Sequence, residues 1–261
     1  MGDFGGMRVV VMTFNLRRAS RFDGANAWKR RKSRAAEAIA AGGADFVGTQ
    51  EGSFPMLLEL AERLPDFAWI GEGRRGGERG ETNAILYRKD RWVPVDAGTF
   101  WLSETPGRPG SRSWGAAFPR ICTWALFRPH DRPGRRFAVF NTHLDHISRL
   151  ARQRGAALAA ARLTELHRAS GAPAALTGDF NAEIGGAALA PLTRPPFHLI
   201  DVYEAAHPGG AKAAGATYHG FRGRSIGEPI DGIFVTPDCA VEAVAVDRNK
   251  YGGRYPSDHY P

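Results

Sequence analysis

Three short stretches of this chain run into carboxylate, amide and imidazole residues. Phe137-Ala138-Val139-Phe140 runs into Asn141-Thr142-His143-Leu144-Asp145-His146, and Ala174-Ala175-Leu176 runs into Gly178-Asp179-Phe180-Asn181. The third cluster, Ser257-Asp258-His259-Tyr260-Pro261, follows a less clearly apolar stretch. Short apolar runs read as β-strands. Strand ends are where rigid backbone delivers polar side chains into a cleft. Three such ends in one chain imply a polar active site that holds a divalent metal.

The rest of the pattern alternates strand and helix. Residues 7–14 read as a strand ending at Asn15, and residues 26–41 as a helix stopped by Gly42-Gly43. Trp28, Ala35 and Ile39 share one face of that helix, with Lys29, Arg30, Ser33 and Arg34 elsewhere. A strand over 45–49 delivers Gln50 and Glu51, and Leu57, Ala61 and Leu64 stripe a second helix closed by Pro65. The middle is β-rich, with strands expected at 67–70, 84–87, 92–95 and 121–127. Between them, 71–81 reads as a mobile glycine- and charge-rich loop and 102–119 as a long surface loop. A helix is expected over 148–170, and strands over 230–235 and 241–246. There are no repeats, and strand–helix–strand occurs once in each half. One domain over 1–261, made of two packed sheets with helices outside, accommodates this best.

With 261 residues, 43% hydrophobic and 24% charged, the chain has an ordinary globular balance and can bury a large core. No apolar run approaches the ~20 residues that span a bilayer, and the N-terminus lacks a signal pattern. A cytoplasmic location is therefore expected. Cys122 and Cys239 are too few for a disulfide framework or a thiolate zinc site, and read as buried thiols. The formal charge of +8 favours polyanions such as nucleic acid or phosphorylated metabolites.

Hard divalent cations prefer carboxylate, amide and water oxygens. Asn15, Glu51 and Asp258 are suitable donors at strand ends. Asp231 interrupts the apolar strand Ile230-Asp231-Gly232-Ile233-Phe234-Val235, where a carboxylate is costly without a partner. A histidine is the natural partner, and His259 can serve.

Thr13-Phe14-Asn15, Thr49-Gln50-Glu51, Asn141-Thr142-His143, Gly178-Asp179-Phe180-Asn181, Ile230-Asp231 and Ser257-Asp258-His259 occur in that order. The series resembles the endonuclease/exonuclease/phosphatase superfamily, which spans nucleases, repair enzymes, deadenylases, inositol polyphosphate phosphatases and neutral sphingomyelinases. The resemblance runs from Met7 to Pro261. It implies an α/β fold, a four-layer α/β/β/α sandwich of two packed mixed β-sheets, with the site at one edge.

Residue by residue, the resemblance makes Glu51 the principal metal ligand and lets Asn15 and Asp258 complete the shell. It makes Asp179 the group that orients or deprotonates the attacking water, and Asn181 the group that holds phosphate or a second metal. His143 resembles a donor to a non-bridging phosphate oxygen. His259, paired with Asp231, resembles a general base or transition-state stabiliser. Arg120 matches an arginine of the deadenylase-like branch and is placed to clamp phosphate. One departure is that the family pattern continues past Ser257-Asp258-His259 into a final strand, whereas this sequence stops at Pro261.

Two other readings compete. Asn141-Thr142-His143-Leu144-Asp145-His146 differs from the H-x-H-x-D-H zinc motif of metallo-β-lactamase-fold hydrolases only in its first residue, a poor zinc ligand. A non-catalytic binding module on the same fold is the other. The sequence favours a Mg²⁺- or Mn²⁺-dependent phosphoesterase that hydrolyses a P–O bond by direct attack of water. A phosphodiesterase or nuclease comes ahead of a phosphomonoesterase of a sugar, inositol or lipid phosphate. The substrate is a phosphoester, with nucleic acid among the candidates, and no protein partner is implied. If Arg17, Arg18, Arg21, Arg74, Arg75 and Arg79 line one cleft, they would track consecutive phosphates of a polymer.

Overall fold

The structure is a computed structural model that describes residues 6–207 and 209–261. In chain order its first strands are β1 (Val11–Asn15), β2 (Phe46–Gln50), β3 (Gly52–Ser53), β4 (Phe67–Ile70), β5 (Glu81–Thr82) and β6 (Ile85–Arg88). The later ones are β7 (Trp92–Trp101), β8 (Ile121–Pro129), β9 (Phe137–His143), β10 (Ala174–Asp179), β11 (Ile200–Asp201) and β12 (Asp231–Val235). The helices are α1 (Trp28–Ala41), α2 (Phe54–Ala61), α3 (Arg149–Ser170), α4 (Ala190–Thr193), α5 (Val202–Ala206) and α6 (Gly210–Ala214). No helix among the described residues is long and apolar enough to cross a membrane.

Strands apolar on both faces need cover on both sides, and two sheets stacked between helices supply it. The first sheet has the order β1-β2-β6-β4 and the second β11-β12-β10-β9-β8-β7. Between them lie Phe46, Ile85, Trp92, Phe127, Phe137, Val139 and Val235. Phe46 is the hub, its ring 4.8 Å from Trp92 and 4.7 Å from Phe127. On the outer face of the first sheet, α1 and α2 bury Trp28, Ala35, Ile39, Leu57 and Leu60 against Phe14, Val47 and Leu86. On the outer face of the second, α3 presents Ala156, Ala159, Ala160 and Leu163 to Leu126, Ala138, Phe140 and Leu176. The layers are those of an α/β/β/α sandwich.

Both sheets are mixed, and each contains one parallel pair, β1/β2 and β9/β10. Register then fixes neighbours: Asn15 pairs with Gln50, while Asp179 lies between His143 on β9 and Asp231 on β12. A polar seam joins the sheets beneath these ends. The Gln50 amide donates to Asn141 Oδ1 at 2.8 Å, and the Asn141 amide donates to the carbonyls of Thr49 and Ala84 at 2.8 and 2.9 Å. Gly48 sits in the same gap, where a Cβ would run into Thr177 Oγ1 and Asn141 Oδ1.

Several elements differ from the sequence reading. The first strand begins at Val11 and not at residue 7, because Val10 gives its N–H to the Asp45 carboxylate and its carbonyl to the Asp45 N–H. β7 runs on to Trp101 through an irregularity between Pro94 and Asp96. Residues 241–246 form no strand, although Val244 and Val246 touch the core. Their spacing reports burial of side chains and not backbone pairing. The 71–81 segment is no loose loop: Arg74 N–H bonds Glu81 O at 2.8 Å, Arg75 N–H bonds Arg79 O at 3.0 Å, and β5 pairs with β3. The 102–119 segment is irregular, as expected, but Leu102 and Ser103 within it are buried. Cys122 is buried and Cys239 partly so, both as free thiols.

Candidate active site

Asn15, Glu51, His143, Asp179, Asn181, Asp231, Asp258 and His259 come together where the parallel pairs end. Asn15 links the two sheets: its amide donates to Asp179 Oδ2 at 2.8 Å and to Glu51 Oε1 at 3.2 Å. Its own oxygen accepts the Arg17 N–H at 2.8 Å, and Glu51 Oε2 accepts the Arg18 N–H at 2.9 Å. Asp179 Oδ1 accepts the Asn181 N–H at 2.9 Å. Asp231 and His259 are joined at 2.8 Å through Oδ2 and Nδ1, leaving His259 Nε2 3.9 Å from Asp179 Oδ2. Asp258 lies 3.6 Å from Arg17 Nη1. Arg17, Glu51 and Asn181 all hold left-handed backbone, with φ of 53°, 62° and 47°. Non-glycine residues reach that region at a cost, and such positions cluster at functional sites.

The charges in this nearly dry pocket set one another. Burial alone would lower the His259 pKa, but Asp231, with Asp179 and Asp258 behind it, raises it to about 10, so the imidazole is a cation at neutral pH. Burial raises Asp179 well above the usual carboxylate range; Asp231 adds to this and His259 opposes it. Burial also raises Asp258 against the pull of His259 and Arg17. At Glu51, burial is outweighed by the hydrogen bonds from Arg18 and Asn15, and the pKa falls. His143 is driven well below its ordinary value by burial and then by Arg120, His259 and Arg74. Its 3.5 Å contact with Asp179 is therefore not an ion pair.

His143 stands here as an acceptor. The Asn181 amide nitrogen faces two groups, the Leu144 carbonyl at 3.0 Å and His143 Nε2 at 2.9 Å. The carbonyl can only accept, so the amide must point this way, and Nε2 accepts its second hydrogen. The His143 proton then sits on Nδ1. Donation from Nε2 to a phosphate requires the other tautomer.

Arg120 is buried. Its Nη2 meets His146 Nδ1 at 3.1 Å and its Nε lies 3.9 Å from Asp145. His146 stacks at 14° on Phe118, over which Arg74 also lies. The zinc-motif reading of 141–146 fails here. Asn141 is spent in the seam, and Asp145 accepts from the N–H groups of Ile147, Ser148 and Ala117. Among the described residues, the His, Asp, Glu and Cys ligand-type atoms that converge in a group of three, within 4.8 Å of one another, belong to Asp179, Asp231 and His259.

Sequence reasoning missed the supports of these groups. The Ser257 hydroxyl donates to the Asn15 carbonyl at 2.6 Å, and Thr217 Oγ1 accepts the N–H groups of Ile230 and Asp231 at 3.0 and 3.1 Å. Neither has a local signal. Arg31, wholly buried, was readable: it falls on the α1 stripe between Trp28 and Ala35.

Two mixed sheets with a carboxylate–imidazole site at the ends of their parallel strands define a hydrolase of the α/β/β/α sandwich class. Over residues 12–259 the chain matches the endonuclease/exonuclease/phosphatase family, and it belongs to that family. Family members are phosphoesterases, and this chain is a phosphoesterase by the same membership. It is similar to a mannosyl-6-phosphatase from Bacteroides thetaiotaomicron, with 36% identity, 97% of each chain covered and a TM-score of 0.90. It is also similar to a family member from Bacteroides vulgatus, at 33% identity over 98% of this chain and 97% of that one, with a TM-score of 0.89. The human Nocturnin catalytic domain shares the fold, at 18% identity over 96% of this chain and 91% of that one, with a TM-score of 0.70. No curated protein matches the chain.

Proposed function

We propose that this protein is a Mg²⁺- or Mn²⁺-dependent phosphomonoesterase acting on a hexose phosphate by direct attack of water. The observation that carries the choice of monoester is the state of the arginines once assigned to a polymer. Arg17 is tied to Asp23 and Asp258, Arg74 to Glu81, and Arg79 to the backbone of its own turn. Cations so committed do not track a phosphate backbone; Arg18, Arg21 and Arg75 stay exposed, so half of the six arginines expected to line a polymer cleft are withdrawn from it. The likeness to a mannosyl-6-phosphatase over nearly the whole of both chains favours the same reading.

The Glu51 and Asp258 oxygens suit a hard divalent cation, whereas Asn15, whose amide nitrogen faces Glu51 and whose oxygen accepts the Arg17 N–H, would have to turn over to ligate it. Glu51 and Asp258 are carboxylates beside the Asn15 amide; burial is the main cause that raises Asp258 and Asp179, and the negative charge of Glu51 and Asp231 adds a surplus to it. That surplus is what a divalent cation offsets. Bound by Glu51 with Asn15 and Asp258 alongside, it would supply charge to a phosphate oxygen and the leaving oxygen. Asp179, fixed by Asn15 and by the Asn181 N–H, accepts the proton of the attacking water. The His259 imidazolium, held by Asp231, donates from Nε2 to the phosphate. Arg120 supplies further positive charge from the His146 side.

A substrate panel tests this. Mannose 6-phosphate and other hexose phosphates should turn over with Mg²⁺ or Mn²⁺, and chelation should abolish turnover. Glu51→Gln should keep the fold while losing metal binding. Activity surviving exhaustive chelation defeats the metal assignment. Preferred turnover of RNA or DNA, with affinity falling steeply in salt, restores the nuclease reading.

A further inference from the structure

The proposed metal ligands hang on backbone as well as on side chains, and one buried cation gathers much of that backbone. Arg31, on the inner face of α1, has 0% exposure. Its Nε donates to the Asn26 carbonyl at 2.9 Å. Nη1 donates to the carbonyls of Leu16 and of Pro256, the latter at 3.3 Å. Nη2 donates to the carbonyls of Arg17 and of Arg18, the latter at 3.4 Å. A guanidinium has five N–H groups in a rigid fork, and here each has a carbonyl. Among the described residues Arg31 has no carboxylate within ion-pair distance, and burial, opposed by the charges of Asp258 and Asp23, lowers its pKa to about 10. The Trp28 ring lies 5.0 Å from its guanidinium carbon.

The bridged segments are those that carry the ligands. Leu16, Arg17 and Arg18 follow Asn15 directly, and Pro256 precedes Asp258 by two residues. The same short segment gives the Arg17 N–H to Asn15 and the Arg18 N–H to Glu51. We propose that Arg31 is a positioning residue that sets the separation of Asn15 and Glu51 from Asp258, and through it the affinity for the divalent cation. The proposal rests on the metal reading above. It also explains why arginine stands there: a lysine ammonium has three donors on one nitrogen, too few for the five carbonyls that Arg31 meets.

The test uses the full chain and two readouts. In metal-free protein, Arg31→Lys should speed amide hydrogen exchange at Arg17 and Arg18 while β2 amides keep wild-type protection. Titration with Mn²⁺ alone should show binding weakened on the order of 10-fold or more, the scale on which groups that orient metal ligands act. In Arg31→Ala, added guanidinium ion should restore both readouts, which it should not do in Glu51→Gln. Wild-type exchange at Arg17 and Arg18 together with wild-type Mn²⁺ affinity in Arg31→Lys overturns the proposal. Loss of β2 protection in every variant, with no recovery in guanidinium, also overturns it, since Arg31 would then support the fold at large. A wild-type protein that binds no Mn²⁺ defeats the metal reading, and the exchange arm still decides whether Arg31 positions the backbone.

Discussion

Asp231 and His259 behave as one unit, and the unit has a pH signature. The pair keeps the imidazole charged to about pH 10, so kcat/KM should fall on the alkaline side as that proton leaves. Asp231→Asn removes the charge that holds it, and the alkaline limb should move to lower pH, as a pH–rate profile will show. A limb that stays in place assigns it to another group. Asp179→Asn removes the proton acceptor and should lower kcat on the order of 10²-fold or more, with little change in KM. Steady-state kinetics separates the two, and a raised KM alone means the carboxylate only binds. Asp179 was legible because it ends an apolar run, Asp231 because it interrupts one, and His259 as the partner that a buried Asp231 needs. Arg31 was readable as a charge on the α1 stripe, but the carbonyls it gathers were not. Nor were the roles of Ser257 and Thr217, because their partners are backbone groups with no local signal, 242 and 14 residues away. The tautomer of His143 was likewise out of reach, since it depends on where the Asn181 amide points.

At the scale of elements, the sequence showed most helices and strands but not how closely they lie. The α3 sequence shows no clear stripe of large apolar residues, because its buried face is built of alanines, with Leu150 half-exposed outside it. Small side chains there bring the helix near the sheet, a packing fact that periodicity of large residues does not register. Residues 241–246 misled in the opposite sense, having strand spacing without strand pairing. Gly48 shows the same limit within the sandwich: only the facing Thr177 and Asn141 explain why β2 carries no side chain there. Gly48→Ala should force the seam apart and cost about 1–3 kcal/mol, read as a lower urea midpoint with an unchanged slope. Wild-type stability would mean that Thr177 simply turns aside.

For the whole molecule, the net charge of +8 and the wiring of the arginines point in different directions. A chain with free cations around its site should bind substrate less well as salt rises. Here Arg17 and Arg74 are committed to internal carboxylates, and KM for a hexose phosphate should change little from low to physiological ionic strength. A steep, many-fold rise in KM would show that the basic surface takes part in binding after all. One last feature concerns time. The Ser257 hydroxyl meets Asn15 across 242 residues, and Asn15 meets Asp179 across 164. Contacts this distant in sequence form late, after nearer pairings have shortened the intervening chain. A refolding population should therefore pass through molecules whose sheets are paired and whose catalytic centre is still in two pieces. Circular dichroism would return first and turnover second, and the lag between them would measure how long the two halves take to find each other.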